Sequence, residues 1–201
     1  MTSRSLCFVL AFVLLLTTTD GAPNEQKEIE ALYRRGLAGD KAAVEQCIGK
    51  LKTVLQGEPQ NQLARVYLGS ALTLRSRDQG FGPKKISTLK QGVALMNEAV
   101  AAAPDDPKIR LTRALTTEAL PAIFGYPAES RKDFGILAQL AETQPTKFAS
   151  QDLPIVFYHA GLVAKANGDR SRAATLWGKG LELSRDPALS AKLNEELNEL
   201  H

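Results

Sequence analysis

The chain has 201 residues, of which 44% are hydrophobic and 23% charged, and its formal net charge is +3. Basic and acidic residues are interspersed along it, which is not the strongly basic balance typical of nucleic-acid-binding proteins, so we expect no nucleic-acid partner. Two cysteines and two histidines are too few for a disulfide scaffold or a His/Cys metal cluster. We therefore expect neither a metal nor a cofactor.

Residues 1–21 have the layout of a secretory signal peptide. Arg4 gives a positive start, residues 6–16 are all apolar, and residues 17–22 are small and polar. The apolar run is too short to span a bilayer. The pattern predicts cleavage after Gly21 or one residue later, export to the periplasm or the medium, and no membrane insertion of the mature chain. An uncleaved N-terminal anchor is the alternative.

Residues 22–201 are enough for one domain with a proper core. Cys47 is the only cysteine in this part, so no disulfide can form within it. It lies on an apolar face of a predicted helix, which indicates a buried structural thiol.

Apolar residues recur at helical spacing through the mature chain, and the alternating pattern of β-strands is missing. Gly-Asp pairs at 39–40 and 168–169 are typical of helix ends followed by helix starts. The pattern predicts an all-α protein of about nine helices, at residues 25–38, 41–56, 61–77, 85–103, 106–120, 127–143, 153–167, 170–184 and 187–200.

Residues 157–187 form the clearest internal unit, a pair of predicted helices. Gly161 and Gly168 are seven residues apart, and the second helix carries a small residue at Ala173 and an aromatic one at Trp177. This unit resembles the tetratricopeptide repeat (TPR). Small residues in such a hairpin let the two helices approach closely, so we expect Trp177 to be buried against Gly161.

Looser copies of this unit precede it. Pro59 and Pro104 stand ten residues before Gly69 and Ala114, which is the spacing in the family between a closing proline and the next small residue. Asp133 falls on a small position and departs from the pattern. The resemblance implies a right-handed α-solenoid of about four TPR-like hairpins with a C-terminal capping helix.

Two segments are longer than the repeat allows. The interval that contains residues 75–85 has eleven extra residues, and the interval that contains residues 120–129 has seven. Equivalent loops of stacked hairpins emerge at one edge, so we expect the two insertions to be neighbours. Their aromatic residues indicate a binding surface, with packing between the hairpins as the alternative.

No motif for a nucleophile, a phosphate loop or a metal site occurs, so we do not expect an enzyme or enzyme subunit. The resemblance implies a concave groove, lined by the first helix of each hairpin, that binds a protein or peptide, with an envelope transporter or assembly complex as a candidate partner. The alternative is a small-molecule-binding protein whose pocket the inserted loops 75–85 and 120–129 close. The predicted partner-binding residues are Tyr67, Arg77, Phe81, Lys84, Phe124, Tyr126, Tyr158 and Lys165, and further groove positions are Ser70, Thr73, Leu111, Leu115, Glu118 and Leu162.

Overall fold

The structure, a computed structural model, describes residues 22–200. The predicted signal peptide at residues 1–21 lies outside the described residues. In the described part the chain forms nine α-helices and two short 3-10 helices (Ala122–Phe124 and Pro145–Lys147), with no β-strand. The α-helices are α1 (Ala22–Leu37), α2 (Lys41–Gly57), α3 (Gln62–Asp78), α4 (Pro83–Ala102), α5 (Pro107–Glu118), α6 (Tyr126–Thr143), α7 (Asp152–Ala166), α8 (Arg170–Leu183) and α9 (Pro187–Asn198).

Each predicted helix is present, and the helix starts follow from local capping chemistry. The side chains of Asp40, Asn61 and Asp169 each accept a hydrogen bond from a backbone N–H in the first turn of the next helix. Gly39 and Gly168 adopt positive φ angles of 102° and 82°, which glycine tolerates without steric cost. Short-range sequence signals therefore account for most of the helix boundaries.

The helices stack as four hairpins with a final helix. Each first helix (α1, α3, α5 and α7) packs against the second helix that follows it, and α9 closes the stack against α8 and α7. Neighbouring first helices also contact one another from α1 to α3 and from α3 to α5. The described chain is therefore an all-α solenoid, and the predicted fold class is confirmed.

Small residues bring two of the hairpins close together. A Cβ atom added to Gly69 would lie 2.5 Å from the carbonyl oxygen of Gly92, so the backbones of α3 and α4 touch. In the last hairpin a Cβ on Gly161 would lie 2.1 Å from Nε1 of Trp177. Trp177 is 0% exposed, and its Nε1 donates a 2.9 Å hydrogen bond to the carbonyl oxygen of Tyr158. The prediction that Trp177 is buried against Gly161 is confirmed.

The hairpin of α5 and α6 is joined by a buried ion network in place of a small residue. Asp133 is fully buried, and its Oδ1 accepts hydrogen bonds from Nη1 of Arg110 at 2.8 Å and Nη2 of Arg113 at 2.6 Å. Its Oδ2 accepts a third bond, from Nε of Arg113, at 2.8 Å. The charged residue that fits the repeat poorly is therefore the centre of this seam.

Most residues of the two insertions are helical, and this corrects the expectation of two long loops. The first insertion is taken up by the last turn of α3 and the first turn of α4, which leaves only residues 79–82 between the helices. Pro83 begins α4, where its fixed φ favours a helix start. In the second insertion, residues 122–124 form a 3-10 turn and α6 begins at Tyr126.

Candidate functional site

A chain of hydroxyl groups links the first helices of three successive hairpins. The hydroxyl of Tyr33 lies 2.6 Å from Oγ of Ser70, which lies 2.7 Å from Oγ1 of Thr116. Thr116 donates its only hydroxyl proton to the carbonyl oxygen of Thr112 at 2.7 Å. Ser70 must therefore donate to Thr116, and Tyr33 to Ser70.

Two tyrosines stand together beside this chain. The rings of Tyr33 and Tyr67 pack edge to face with their centroids 5.2 Å apart. Burial, assisted by the negative charges of Glu30 and Asp152, raises the pKa of Tyr67 to about 12. Tyr67 therefore keeps a neutral hydroxyl at physiological pH, and the residue as a whole is half-buried.

A small hollow of mixed charge lies at the start of α5 and α7. Its volume is about 270 Å³, and Nζ of Lys108 lies 3.3 Å from Oδ2 of Asp152 at its wall. Glu30 of α1 also lines it, so helices from the first, third and fourth hairpins meet there. The remaining wall is formed by Pro107, Lys147, Phe148, Ala149 and Gln151.

His159 of α7 lies between an aromatic ring and a carboxylate. Its ring stacks on Phe134 with centroids 4.7 Å apart and an angle of 8° between the planes. Nδ1 of His159 is 2.8 Å from Oε2 of Glu118, but the orientation does not give a regular hydrogen bond. Tyr158 packs edge-on against His159, and burial raises the pKa of Tyr158. The backbones of α5 and α7 approach less closely than those of α3 and α5, so these long side chains bridge them.

Lys165 is held by carboxylates of the final helix. Its Nζ lies 2.7 Å from both Glu196 and Glu199, and these hydrogen bonds raise the pKa of Lys165. The same nitrogen lies 5.6 Å from the centre of the Trp177 ring. We call the surface formed by these side chains of α1, α3, α5 and α7 the inner face: Glu30, Tyr33, Tyr67, Lys108, Thr112, Thr116, Glu118, Tyr158, His159 and Lys165.

Three of the predicted partner-binding residues lie near the turn between α3 and α4. Arg77 pairs with the neighbouring Asp78 at 2.9 Å and donates a hydrogen bond to the carbonyl oxygen of Gly36. Phe81 is 97% exposed, and Lys84 is exposed as well. Arg77 therefore serves partly to tie the first two hairpins together, whereas the other two side chains reach into solvent.

Two more predicted residues lie near the turn between α5 and α6. The rings of Phe124 and Tyr126 stack with centroids 6.2 Å apart. Phe124 is exposed, whereas Tyr126 is half-buried and packs, like Leu120, against the core cluster that includes Leu89 and Val93 of α4. The alternative prediction is that these aromatic residues pack between hairpins. It holds in part for Tyr126 and does not hold for Phe81.

The further groove positions divide in a way that the repeat pattern did not predict. Ser70, Thr73 and Leu111 are buried, and Thr73 faces the backbone of Gly92, so these positions of α3 and α5 belong to the seams. Glu118 is exposed. Leu115 and Leu162 are partly covered by the core. The sequence did not point to Glu30 and Tyr33, since the first hairpin lacks a clear repeat register. It also did not point to Lys108, Thr112 and Thr116 of α5. Thr112 and Thr116 each follow a predicted groove position, Leu111 and Leu115, by one residue, so the register carried over from the repeat selected a neighbouring side of that helix.

The inner face presents hydrogen-bonding and charged side chains, and the two features most relevant to reactive chemistry are metal-ligating residues and the Cys47 thiol. The described residues contain no group of three or more His, Cys, Asp or Glu side chains placed to hold a metal ion. Cys47 is buried in the first core cluster, and burial raises the pKa of its thiol to about 11. A neutral, buried thiol is a poor nucleophile.

No protein-family model matches the chain, and no curated protein matches its sequence. Among solved structures, the chain is similar to the crystal structure of a thermophilic TPR protein of Thermus thermophilus. The TM-score is 0.59 over 88% of this chain and 84% of that chain, with 18% sequence identity. The fold is TPR-like. Identity this low establishes the fold alone.

Proposed function

We propose that the inner face of this TPR-like solenoid binds a peptide segment of a protein partner and that the chain has no catalytic role. The observation that carries the proposal is the hydroxyl chain from Tyr33 through Ser70 to Thr116, which links α1, α3 and α5 and holds the partly exposed side chains of the inner face in fixed positions. A surface fixed in this way loses little conformational entropy when a partner binds, which favours binding.

The shape and chemistry of the inner face suit a peptide better than a small molecule. The hollow beside Lys108 holds about 270 Å³, which is below the roughly 300–1,000 Å³ typical of small-ligand pockets. Tyrosine rings, hydroxyl groups and both charge signs follow one another along the helices. An extended segment with alternating polar and apolar side chains matches such a row.

Three predicted residues have distinct roles in this proposal. Tyr67 offers an uncharged hydroxyl, and Tyr158 offers a half-buried ring at the other end of the face. Lys165 already contacts two carboxylates, Glu196 and Glu199, so it can exchange one of them for a carboxylate of the partner.

The alternative of a small-molecule pocket closed by both insertions finds no support in the geometry. The hollow beside Phe81 holds about 570 Å³, but its lining comes from residues 81–90 and includes none of residues 120–129. Phe81 itself points into solvent.

We also propose that the chain is exported, on the strength of the signal-peptide pattern in residues 1–21. No helix of the described residues 22–200 is long and apolar enough to cross a membrane. N-terminal sequencing of the protein from its native host tests this: a start at Ala22 or Pro23 is expected, and an intact Met1 on a membrane-bound product contradicts the proposal.

Selection from a displayed peptide library with the chain from Ala22 to His201 tests the peptide-binding proposal. Selected peptides are then titrated against Tyr67→Phe, which removes one hydroxyl, and Lys165→Ala. We expect each variant to lose about tenfold in affinity, since each removes a hydrogen-bonding or charged contact worth roughly 1.4 kcal/mol.

Lys179→Ala is the matched control, because Lys179 also forms a lysine–glutamate pair, with Glu142 at 2.6 Å, between second helices. It should bind the peptides like the parent chain. A library that yields no specific peptide, or peptides whose binding is lost in the control and kept in Lys165→Ala, would contradict the proposal.

A further inference from the structure

Exposed apolar side chains collect at one edge of the solenoid. Phe81 is 97% exposed and Ile123 is 89% exposed, and both lie in turns that lead from a first helix to a second helix. We call the edge formed by residues 34–41, 77–85 and 118–132 the turn edge. Four of the six large exposed apolar residues of the described chain belong to it: Leu37, Phe81, Ile123 and Phe124, with Ile136 and Leu183 outside it.

Contacts between hairpins show that these turns lie side by side. Arg77 at the end of α3 donates a 3.1 Å hydrogen bond to the carbonyl oxygen of Gly36 at the end of α1. Leu120 and Tyr126, on either side of the third turn, pack against the core cluster of α3 and α4. The first three turns therefore form one continuous edge.

The turn edge is positively charged. Its three segments contain eight lysine or arginine residues and four aspartate or glutamate residues. Asp40 already pairs with Arg35, and Asp78 pairs with Arg77. The exposed lysines in these segments are Lys41, Lys84 and Lys132.

A shallow apolar hollow adjoins Phe81. It holds about 570 Å³ and is lined by Phe81, Pro83 and Ile86, with Lys90 at its border. A bulky aromatic side chain that projects almost fully into water beside lysines has no stabilising role within the fold. Exposed apolar residues that collect at one edge, as Phe81, Ile123, Phe124 and Leu37 do, mark a surface that contacts something else.

We propose that the turn edge docks on the surface of an anionic lipid bilayer. Phe81 and Ile123 enter the interface between headgroups and acyl chains, and lysines such as Lys84 and Lys132 contact the phosphate groups. The charge excess of the edge complements such a surface. The apolar side chains project from separate turns in a row, which fits a flat interface better than a pocketed protein partner.

Docking in this way leaves the inner face open. The turn edge consists of the turns and the ends of the helices, whereas the inner face consists of the sides of α1, α3, α5 and α7, with only Glu118 at the end of α5 belonging to both. A chain bound to a bilayer through its turns can therefore present its inner face to a partner near the membrane.

Co-sedimentation of the chain from Ala22 to His201 with lipid vesicles tests the proposal. We expect binding to vesicles that contain phosphatidylglycerol, little binding to pure phosphatidylcholine, and release at high salt, since surface charge attraction is screened by ions. The double variant Phe81→Ala/Ile123→Ala should bind about tenfold or more weakly, because two apolar side chains no longer enter the interface. Its melting temperature should not change, since both side chains are exposed.

Ile136→Ala/Leu183→Ala is the matched control, because it removes two exposed apolar side chains that lie outside the turn edge. It should bind anionic vesicles like the parent chain. The proposal is overturned if the chain binds both vesicle types equally, if it binds neither, or if the control variant loses as much binding as Phe81→Ala/Ile123→Ala. It is also overturned if the chain forms a dimer in solution that only Phe81→Ala/Ile123→Ala dissociates, because a second copy would then occupy this edge. Peptide selection on the inner face is unaffected by any of these results.

Discussion

The last two hairpins use different interactions to hold their two helices together. Between α7 and α8, Trp177 fills the seam against Gly161 and is completely buried. Between α5 and α6, the buried carboxylate of Asp133 is held by Arg110 and Arg113. Apolar contact area stabilises the first seam, whereas charge pairing that offsets a desolvation cost maintains the second.

This difference shows that the residue type at a repeat position depends on the side chains that face it across the helix pair, and not on its size alone. The position of Asp133 tolerates a charge because α5 supplies two guanidinium groups three residues apart on one helical face. The two seams should therefore respond differently when single side chains are removed or replaced together.

The largest effect is expected for Trp177→Ala. Loss of this buried side chain should lower the free energy of unfolding by about 3–5 kcal/mol, because it leaves a cavity and removes the hydrogen bond from Trp177 to the carbonyl oxygen of Tyr158. Urea denaturation measures the change. Leu183→Ala, which truncates an exposed residue of the same helix, should stay within about 0.5 kcal/mol. A loss below about 1 kcal/mol in Trp177→Ala would contradict an apolar seam.

Asp133→Ala should follow, with a loss of about 3 kcal/mol, because it leaves two nearly buried arginines without their carboxylate. The triple variant Asp133→Leu/Arg110→Met/Arg113→Met should recover most of this loss, since apolar packing replaces the buried charges. The same denaturation experiment compares them. A triple variant less stable than Asp133→Ala would show that the ion network stabilises the hairpin more than apolar packing can.

Gly161→Ala should cost roughly 1–3 kcal/mol, because the new methyl group would lie 2.1 Å from Nε1 of Trp177 and force the helices apart. Gly178→Ala is its control on the other helix of the hairpin, where a Cβ meets nothing within 4 Å. That change should stabilise the protein by up to about 1 kcal/mol through higher helix propensity. Equal effects at both glycines would mean that α7 and α8 are not in close contact.

The smallest effect is expected at the surface pairs between α6 and α8. Hydrogen bonds from Arg172, together with Lys179, lower the pKa of Glu142 to about 2. A carboxyl with a lowered pKa stabilises the fold above its usual pKa of 4.5, and this contribution is lost as pH falls toward 2. Glu142→Gln should therefore be less stable by under about 1 kcal/mol at pH 7.

The difference between Glu142→Gln and the parent chain should shrink between pH 4.5 and pH 2. Thermal unfolding across this range, followed by circular dichroism, measures it. A difference that stays constant with pH would show that the Glu142 charge contributes nothing to the fold.

The sequence was sufficient to predict the helices, the hairpins and one seam. The helical spacing of apolar residues and the capping residues such as Asp40 involve only residues a few positions apart. They therefore predict the helices from the sequence alone. The pair of Gly161 and Trp177 lies within one hairpin and follows the repeat pattern. The repeat pattern marks Asp133 as a departure but does not indicate its arginine partners, because charged side chains usually lie at the surface.

Local sequence patterns determined where this chain forms helices and how they pair, because these features depend on neighbouring residues. Only the tertiary structure decided which polar side chains meet where neighbouring hairpins join. Tyr33 and Ser70 are 37 residues apart, and Ser70 and Thr116 are 46 apart. Their contact depends on how far each hairpin is shifted and rotated against the next. The packing of whole helices sets that geometry, and no spacing within a single helix encodes it.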